Sequence, residues 1–229
     1  MRAWAIIAAA GMGKRMGGGL PKQFLEIGGR PIICHTLDRF RKAHSVTNVV
    51  IVVEPGREVA FSDEIISHYG FPREWIVTHG GEHRQDSVSN GLAKVPVDCD
   101  VVAVHDGVRP FVSPSQIDSA IELASKEGAC IVAMPIKETI KRVSRDARIS
   151  ETVDRSSLWG AKTPQCFRRT LLWDAMERAR REGFRGTDEA SIVERMGVAV
   201  RVIEGDERNI KITTPSDLIV AEAILKEWR

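Results

Sequence analysis

A chain of 229 residues is long enough for one large domain with a substantial core, and a hydrophobic fraction of 43% is ordinary for a soluble globular protein. The formal net charge of +2 argues against a dedicated nucleic-acid binder, so any basic surface has to be local. No segment approaches a membrane span, and the apolar N-terminus is too short for a secretory leader.

That N-terminal run predicts a buried strand over Trp4–Ala9 and leads into Gly11-Met12-Gly13-Lys14-Arg15-Met16-Gly17, then Pro21-Lys22-Gln23. Glycines at a strand end let backbone N–H groups close on an anion. Lys14, Arg15 and Lys22 call for a ligand carrying several phosphates. The spelling fits neither familiar phosphate loop. Arg15 stands where a Walker loop has Ser or Thr, and Ala8 takes its first glycine position. Met16 replaces the third glycine of the dinucleotide fingerprint, and Pro21 bars an immediate helix. The plain alternative is a glycine-rich turn with solvated basic residues.

A helix is predicted from Pro31, burying Ile33, Leu37 and Phe40, followed by a strand over Val46–Val53 and another over Trp75–His79. Asp86 to Leu92 reads as a helix, Val101–His105 as a strand. Ser113-Pro114 then caps a helix whose Ile117, Ala120, Ile121 and Ala124 fall at i, i+3, i+4 and i+7. Ala129–Pro135 and Val198–Glu204 read as strands, and Pro215 to Trp228 as the last helix. Such alternation gives parallel strands joined by right-handed crossovers, with ligands at their carboxyl ends. Gly11–Arg15, Gly80–Asp86 and Asp106–Arg109 all lie at that rim. The alternation breaks after Pro135. Lys137 to Thr152 reads as two short β segments turning near Ser144-Arg145-Asp146-Ala147, either a projecting hairpin arm or an ordinary antiparallel edge.

Asp106, at a strand tip facing a triphosphate, suits Mg²⁺, which takes one or two protein oxygens and completes its shell with phosphates and water; a turn-forming Asp is the other reading. Arg109 could clamp a second phosphate, and His105 reads as a packed strand-end residue. Gly80 to Ser87 forms a turn into a helix N-terminus, where backbone amides and a hydroxyl can read a base or ribose. Glycines between His79 and His83 speak against a zinc pair. Thr187 precedes a helix start, where its hydroxyl could simply cap. Lys211, flanked by Ile210 and Ile212, is expected to have an anionic partner. Cys34, Cys99, Cys130 and Cys166 lie far apart with no Cys-x-x-Cys, so buried free thiols in a reducing cytoplasm are expected.

Ala-Ala-Gly-x-Gly-x-Arg-Met, Pro-Lys-Gln, His-Asp-x-x-Arg-Pro, Thr-Val-Asp-Arg, Thr-Pro-Gln, Thr-Asp-Glu-Ala-Ser and Asn-Ile-Lys occur in this order from Ala8 almost to the last helix. Together they resemble the 2-C-methyl-D-erythritol 4-phosphate cytidylyltransferases. The resemblance implies an α/β, Rossmann-like nucleotidyltransferase fold: a mostly parallel twisted sheet, helices on both faces, and a projecting β-hairpin arm. It implies one domain over residues 1–229, with 136–156 as an arm that forms a homodimer, and transfer of a cytidylyl group from CTP to a sugar-alcohol phosphate. The expected cofactor is Mg²⁺ or another divalent cation. Neither nucleic acid nor membrane is an expected partner.

The resemblance also places residues. Ala9, Ala10, Gly11, Gly81, Glu82, Ser87 and Gly107 line the nucleotide. Arg15 and Lys22 stabilise the triphosphate and the transition state, and Lys211 reaches both substrates. Asp106 holds the metal; Asp106, Arg109, Thr139, Arg155, Thr163 and Thr187 serve the acceptor, Thr139 and Arg155 from the neighbouring protomer. Two positions depart from the family's habit. Glu82 stands where aspartate is frequent, and Gly107-Val108 replaces an alanine pair. A ribitol 5-phosphate cytidylyltransferase shares the glycine loop, but Thr152 to Arg155 and Thr187 to Ser191 favour the methylerythritol substrate. An NAD-dependent oxidoreductase is disfavoured by the missing third glycine, the excess of loop cations and the lack of an acidic ribose reader.

Overall fold

The structure is a computed structural model and describes residues 1–11 and 21–228. Strands β1 (Ala3–Ala8), β4 (Val46–Val53), β5 (Ile76–His79), β6 (Val101–Asp106), β7 (Ala129–Pro135), β10 (Trp159–Arg168) and β11 (Arg201–Glu204) form one sheet in the order β11-β7-β10-β6-β1-β4-β5. Strands β1, β4, β5 and β6 are mutually parallel, as are β7 and β11. The continuous apolar runs of β1, β4 and β6 follow from burial on both faces. Ala5 and Ile7 point to one core and Ile6 to the other.

Helix α1 (Ile32–Lys42) and helix α4 (Pro114–Glu127) cover the first face through Ile33, Leu37, Phe40, Ile117 and Ile121. Helix α3 (Arg84–Leu92) and helix α5 (Arg169–Arg181) cover the second through Val88, Leu92, Leu172 and Met176. A third cluster seats helix α7 (Pro215–Glu227) on Ile27, Ile32, Val108, Phe111 and Ile212. Short strands β2 (Glu26–Ile27) and β3 (Arg30–Pro31) lead into α1. Helix α2 (Glu58–Phe61) continues as a wider turn over Ser62–Ser67. As expected, Ser113 caps α4, its Oγ accepting from the Gln116 N–H at 3.1 Å. Ser113→Ala should therefore cost about 1 kcal/mol of unfolding free energy, read as a lower urea midpoint at unchanged slope.

The main departure from the sequence reading is β10. It lies antiparallel between β6 and β7, pairing Gln165 with Val104 on one side and Ile131 on the other. The segment Trp-Gly-Ala-Lys-Thr-Pro-Gln-Cys-Phe-Arg shows no apolar alternation, because two of its buried residues, Thr163 and Gln165, are polar. Pro164 falls inside the register shift between Ala161 and Gln165, where it takes the place of no ladder donor. Smaller corrections concern ends. Strand β1 stops at Ala8, β5 starts at Ile76, α3 starts at Arg84, and β11 covers only Arg201–Glu204. Helix α6 (Glu189–Glu194) is capped by Asp188 rather than Thr187, with the Asp188 carboxylate accepting from the Ser191 N–H.

Strands β8 (Ile140–Val143) and β9 (Ile149–Val153) form a separate antiparallel hairpin around the foreseen turn. Its side chains are almost all exposed, Val143 and Ile149 among them. All four cysteines are buried and free, and burial pushes the Cys34 thiol up to about 12 and Cys130 up to about 11.

Candidate active site

The carboxyl ends of β1 and β6 and the N-terminal turn of α3 enclose a cleft of about 250 Å³. Ala9, Ala10, Gly11, Lys22, Gly81, Glu82, Ser87, Asp106 and Lys211 line it, together with Arg84. Residues from five separate segments thus converge at this rim, and the alternating pattern had placed Gly11, Gly80–Asp86 and Asp106 there.

Each is held by identifiable bonds. Gln23 is buried and donates from Nε2 to the Ala9 carbonyl at 2.6 Å, which ties the turn at Lys22–Phe24 to the end of β1 and brings Lys22 to the cleft. Ser87 Oγ accepts from the Gly81 N–H and donates to the His83 carbonyl, each at 3.0 Å. Gly81 has no room for a side chain, since a Cβ would lie 2.4 Å from that of Asp86. The Gly107 N–H donates to the Ala8 carbonyl at 2.9 Å, just behind the cleft.

Lys211 has the anionic partner its apolar neighbours implied. Its Nζ lies 2.9 Å from Asp106 Oδ2. The segment carrying it is pinned at both ends. Asn209 donates from Nδ2 to the Thr163 carbonyl at 2.9 Å, Ile212 N–H donates to Val108, and Asp217 accepts from Thr213 and Thr214. Arg109 reaches Asp106 Oδ2 from Nε at 3.1 Å and donates from Nη1 to the Asn209 carbonyl at 3.0 Å. Burial opposes the charge on Asp106, yet Lys211, Arg84 and Arg109 together hold its carboxyl well below the usual carboxylate range. It is an anion at any physiological pH.

Thr163 stands behind Asp106. Its Oγ1 accepts from the Asp106 N–H at 3.1 Å and pairs with His105 Nδ1 at 2.9 Å. Because His105 Nε2 faces the Arg109 carbonyl, that nitrogen carries the proton and Nδ1 accepts from Thr163. Burial lowers the His105 imidazole to about 4, so it is neutral and packed, as its sequence position indicated.

A second cavity of about 460 Å³ shares Lys211 with the first and is lined by Arg109, Lys137, Lys162 and Lys211, by Glu138 and Glu207, and by Met134, Ile136 and Ile210. Lys211 borders both cavities. Thr139, Arg155 and Thr187 are exposed and line neither; Arg155 donates from Nη1 to the Lys137 carbonyl at the base of the hairpin. Arg15 lies outside the described residues. Sequence reasoning passed over Arg84, whose guanidinium meets Glu189 through Nη1 and approaches Asp106 Oδ1 from Nη2 at 3.4 Å. Burial acts against the Arg84 charge, but Glu189 and Asp106 outweigh it and keep the guanidinium protonated.

Among the described residues no group of three acidic, histidine or cysteine side chains could enclose a metal. The carboxylates at the cleft are instead Asp106, set amid cations, and the separate, exposed Glu82. That set fits a divalent ion arriving with polyphosphate, and does not fit a closed protein cage.

The sequence model of the family described as 2-C-methyl-D-erythritol 4-phosphate cytidylyltransferase matches residues 3–227. The chain belongs to the 2-C-methyl-D-erythritol 4-phosphate cytidylyltransferase family. The cytidylyltransferase of Geobacillus kaustophilus (strain HTA426) is 46% identical over 96% of each chain. That of Geotalea uraniireducens (strain Rf4) is 44% identical, over 99% of this chain and 97% of its own. The 4-diphosphocytidyl-2C-methyl-D-erythritol synthase of Anaerococcus prevotii DSM 20548 superposes with a TM-score of 0.86 at 30% identity, covering 98% of this chain and 96% of its own. The cytidylyltransferase of Thermus thermophilus gives a TM-score of 0.79 at 31% identity, covering 96% of this chain and 98% of its own. The antiparallel β10 is therefore part of a cytidylyltransferase fold, and the Rossmann-like, mostly parallel sheet agrees with the sequence reading.

Proposed function

We propose that the cleft between Lys22, Arg84, Asp106 and Lys211 is where this chain transfers the cytidylyl group of CTP to 2-C-methyl-D-erythritol 4-phosphate, releasing pyrophosphate and forming 4-diphosphocytidyl-2-C-methyl-D-erythritol. The observation that carries this reading is Lys211, which borders both cavities while paired with Asp106. One cavity suits the triphosphate, the other an anionic acceptor, and the lysine stands between them.

The acceptor's phosphate oxygen is already ionised, so no general base and no covalent enzyme intermediate are required. The barrier is the approach of an anion to an anion, and the protein lowers it by positioning and charge neutralisation. Ala9, Ala10, Gly11, Gly81, Glu82 and Ser87 hold the nucleoside side, with Gly107 closing the wall behind them. Lys22 and Arg15 meet the charge that builds on the α-phosphoryl group and on pyrophosphate. Lys211 screens attacker from target. Arg109 faces the acceptor cavity, and Thr163 acts on the acceptor by orienting Asp106. Asp106 would hold Mg²⁺ or another divalent cation, which when bound draws phosphate oxygens together and withdraws charge from phosphorus.

The chain is one nucleotidyltransferase domain, with residues 136–156 as a dimerisation arm. Exposed Val143 and Ile149 on the hairpin support that role, because isolated two-stranded hairpins are marginal unless packed. Across the dimer, Thr139 and Arg155 serve the partner's acceptor site, and Thr187 contributes to binding the acceptor. Four buried free thiols fit a reducing cytoplasm.

The deciding measurement is pyrophosphate release from CTP with 2-C-methyl-D-erythritol 4-phosphate or ribitol 5-phosphate offered in competition. Turnover requires the first; preference for the second overturns the substrate assignment. Arg155→Ala is expected to raise KM for the sugar phosphate roughly tenfold, the loss of one charge-assisted contact, with KM for CTP spared. An unchanged acceptor KM removes Arg155 from the site.

A further inference from the structure

Among the described residues three cations crowd the Asp106 carboxylate, but they do not share it evenly. Arg109 and Lys211 both take Oδ2, at 3.1 and 2.9 Å. Among the described residues Oδ1 has only Arg84 Nη2, at 3.4 Å, beyond the usual range for such a bond. The same guanidinium is in direct contact with Glu189 through its other terminal nitrogen. Glu189 is 1% exposed, and its Oε2 has no hydrogen-bond partner among the described residues. A carboxylate buried at that cost has to be compensated, and Arg84 is its compensating charge.

The position of Glu189 is fixed from β10. Gln165 donates from Nε2 to Asp188 Oδ2 at 2.7 Å and accepts the Ala190 N–H at 3.0 Å, gripping the residues on either side of Glu189. Gln165 in turn pairs with Val104, two residues before Asp106 on β6. One rigid frame therefore sets the distance between the two carboxylates that compete for a single arginine.

We propose that Glu189 is a positioning residue that holds Arg84 back from Asp106, keeping Oδ1 available for the divalent cation that accompanies the nucleotide. The inference rests on the reading of Asp106 as the cation's ligand. Without the Glu189 charge, Arg84 closes on Oδ1 and competes with the cation, while the cleft becomes one unit more positive.

These two consequences have opposite signs, which separates the proposal from a merely structural ion pair. For Glu189→Gln, Mn²⁺ binding in the presence of CTP, measured by titration calorimetry without acceptor, is expected to weaken about tenfold, the effect of one charged hydrogen bond. Binding of metal-free CTP is expected to tighten by roughly threefold, from the added positive charge. The double variant Arg84→Gln/Glu189→Gln removes both competitor and restraint and should return Mn²⁺ binding toward the wild-type value. It also avoids leaving either charge buried alone if a single variant folds poorly. Weakening of both ligands by Glu189→Gln, or unchanged Mn²⁺ binding, overturns the proposal. Asp106→Asn separates the layers. If it abolishes Mn²⁺ binding while Glu189→Gln has no effect, only the role of Glu189 falls; if it leaves Mn²⁺ binding intact, both readings fall.

Discussion

Lys22→Ala is expected to lower kcat by roughly a hundredfold or more, the scale set by loss of one preorganised electrostatic donor. The protein should still fold, because the neighbouring Gln23, not Lys22, carries the tether to Ala9 and the turn closes through the Pro21 carbonyl and the Phe24 N–H at 2.9 Å. Steady-state pyrophosphate release, beside an unaltered thermal transition, checks both halves. Lys22→Arg keeps the charge on a wider head and should recover part of the loss. Wild-type turnover by a folded Lys22→Ala protein removes this lysine from the catalytic group.

Asp106→Asn is expected to damage stability and activity together. The carboxylate is nearly buried and neutralises Arg109 and Lys211, so its loss leaves cations clustered with less to oppose them. Breaking a buried pair from one side typically costs about 3–5 kcal/mol. Arg84 and Lys211 are partly exposed, which puts this case toward the low end. Urea unfolding measures that cost, and pyrophosphate release should fall by at least about a hundredfold. The pH dependence has a defined sign. Since the folded carboxyl sits below its ordinary value of 3.8, its stabilisation is complete above that value and is lost as pH falls beneath it. The wild type should therefore lose this advantage over Asp106→Asn only in strong acid. Equal stability of the two proteins at neutral pH would falsify the pairing.

Most of the sheet was legible because burial on both faces leaves uninterrupted apolar runs. Val46–Val53 and Ala129–Pro135 coincide with their predicted bounds. Helix α5 was missed although Leu172, Ala175, Met176 and Ala179 repeat at i, i+3, i+4 and i+7; the many arginines around them masked the stripe. Strand β10 carried no such signal. Its inward polar groups are satisfied by Asn209, Asp188 and His105, residues that only the fold brings near. The candidate site divides in the same way. Lys211 and Asp106 were readable one at a time, from a lysine between isoleucines and an aspartate at a strand tip. Arg84 and Glu189 were not, because they are 105 positions apart and neither is unusual in its own segment.

The placement of β10 has a consequence for synthesis on the ribosome. Strands β6 and β7 are made early but are not neighbours; the slot between them is filled by residues that emerge only after the hairpin has been built and the chain has doubled back. Until about residue 168 has cleared the exit tunnel, a nascent chain presents two unsatisfied strand edges at its centre. Stalled or truncated products ending before Trp159 should thus be targets for chaperones, whereas loss of the final helix should leave the main sheet whole.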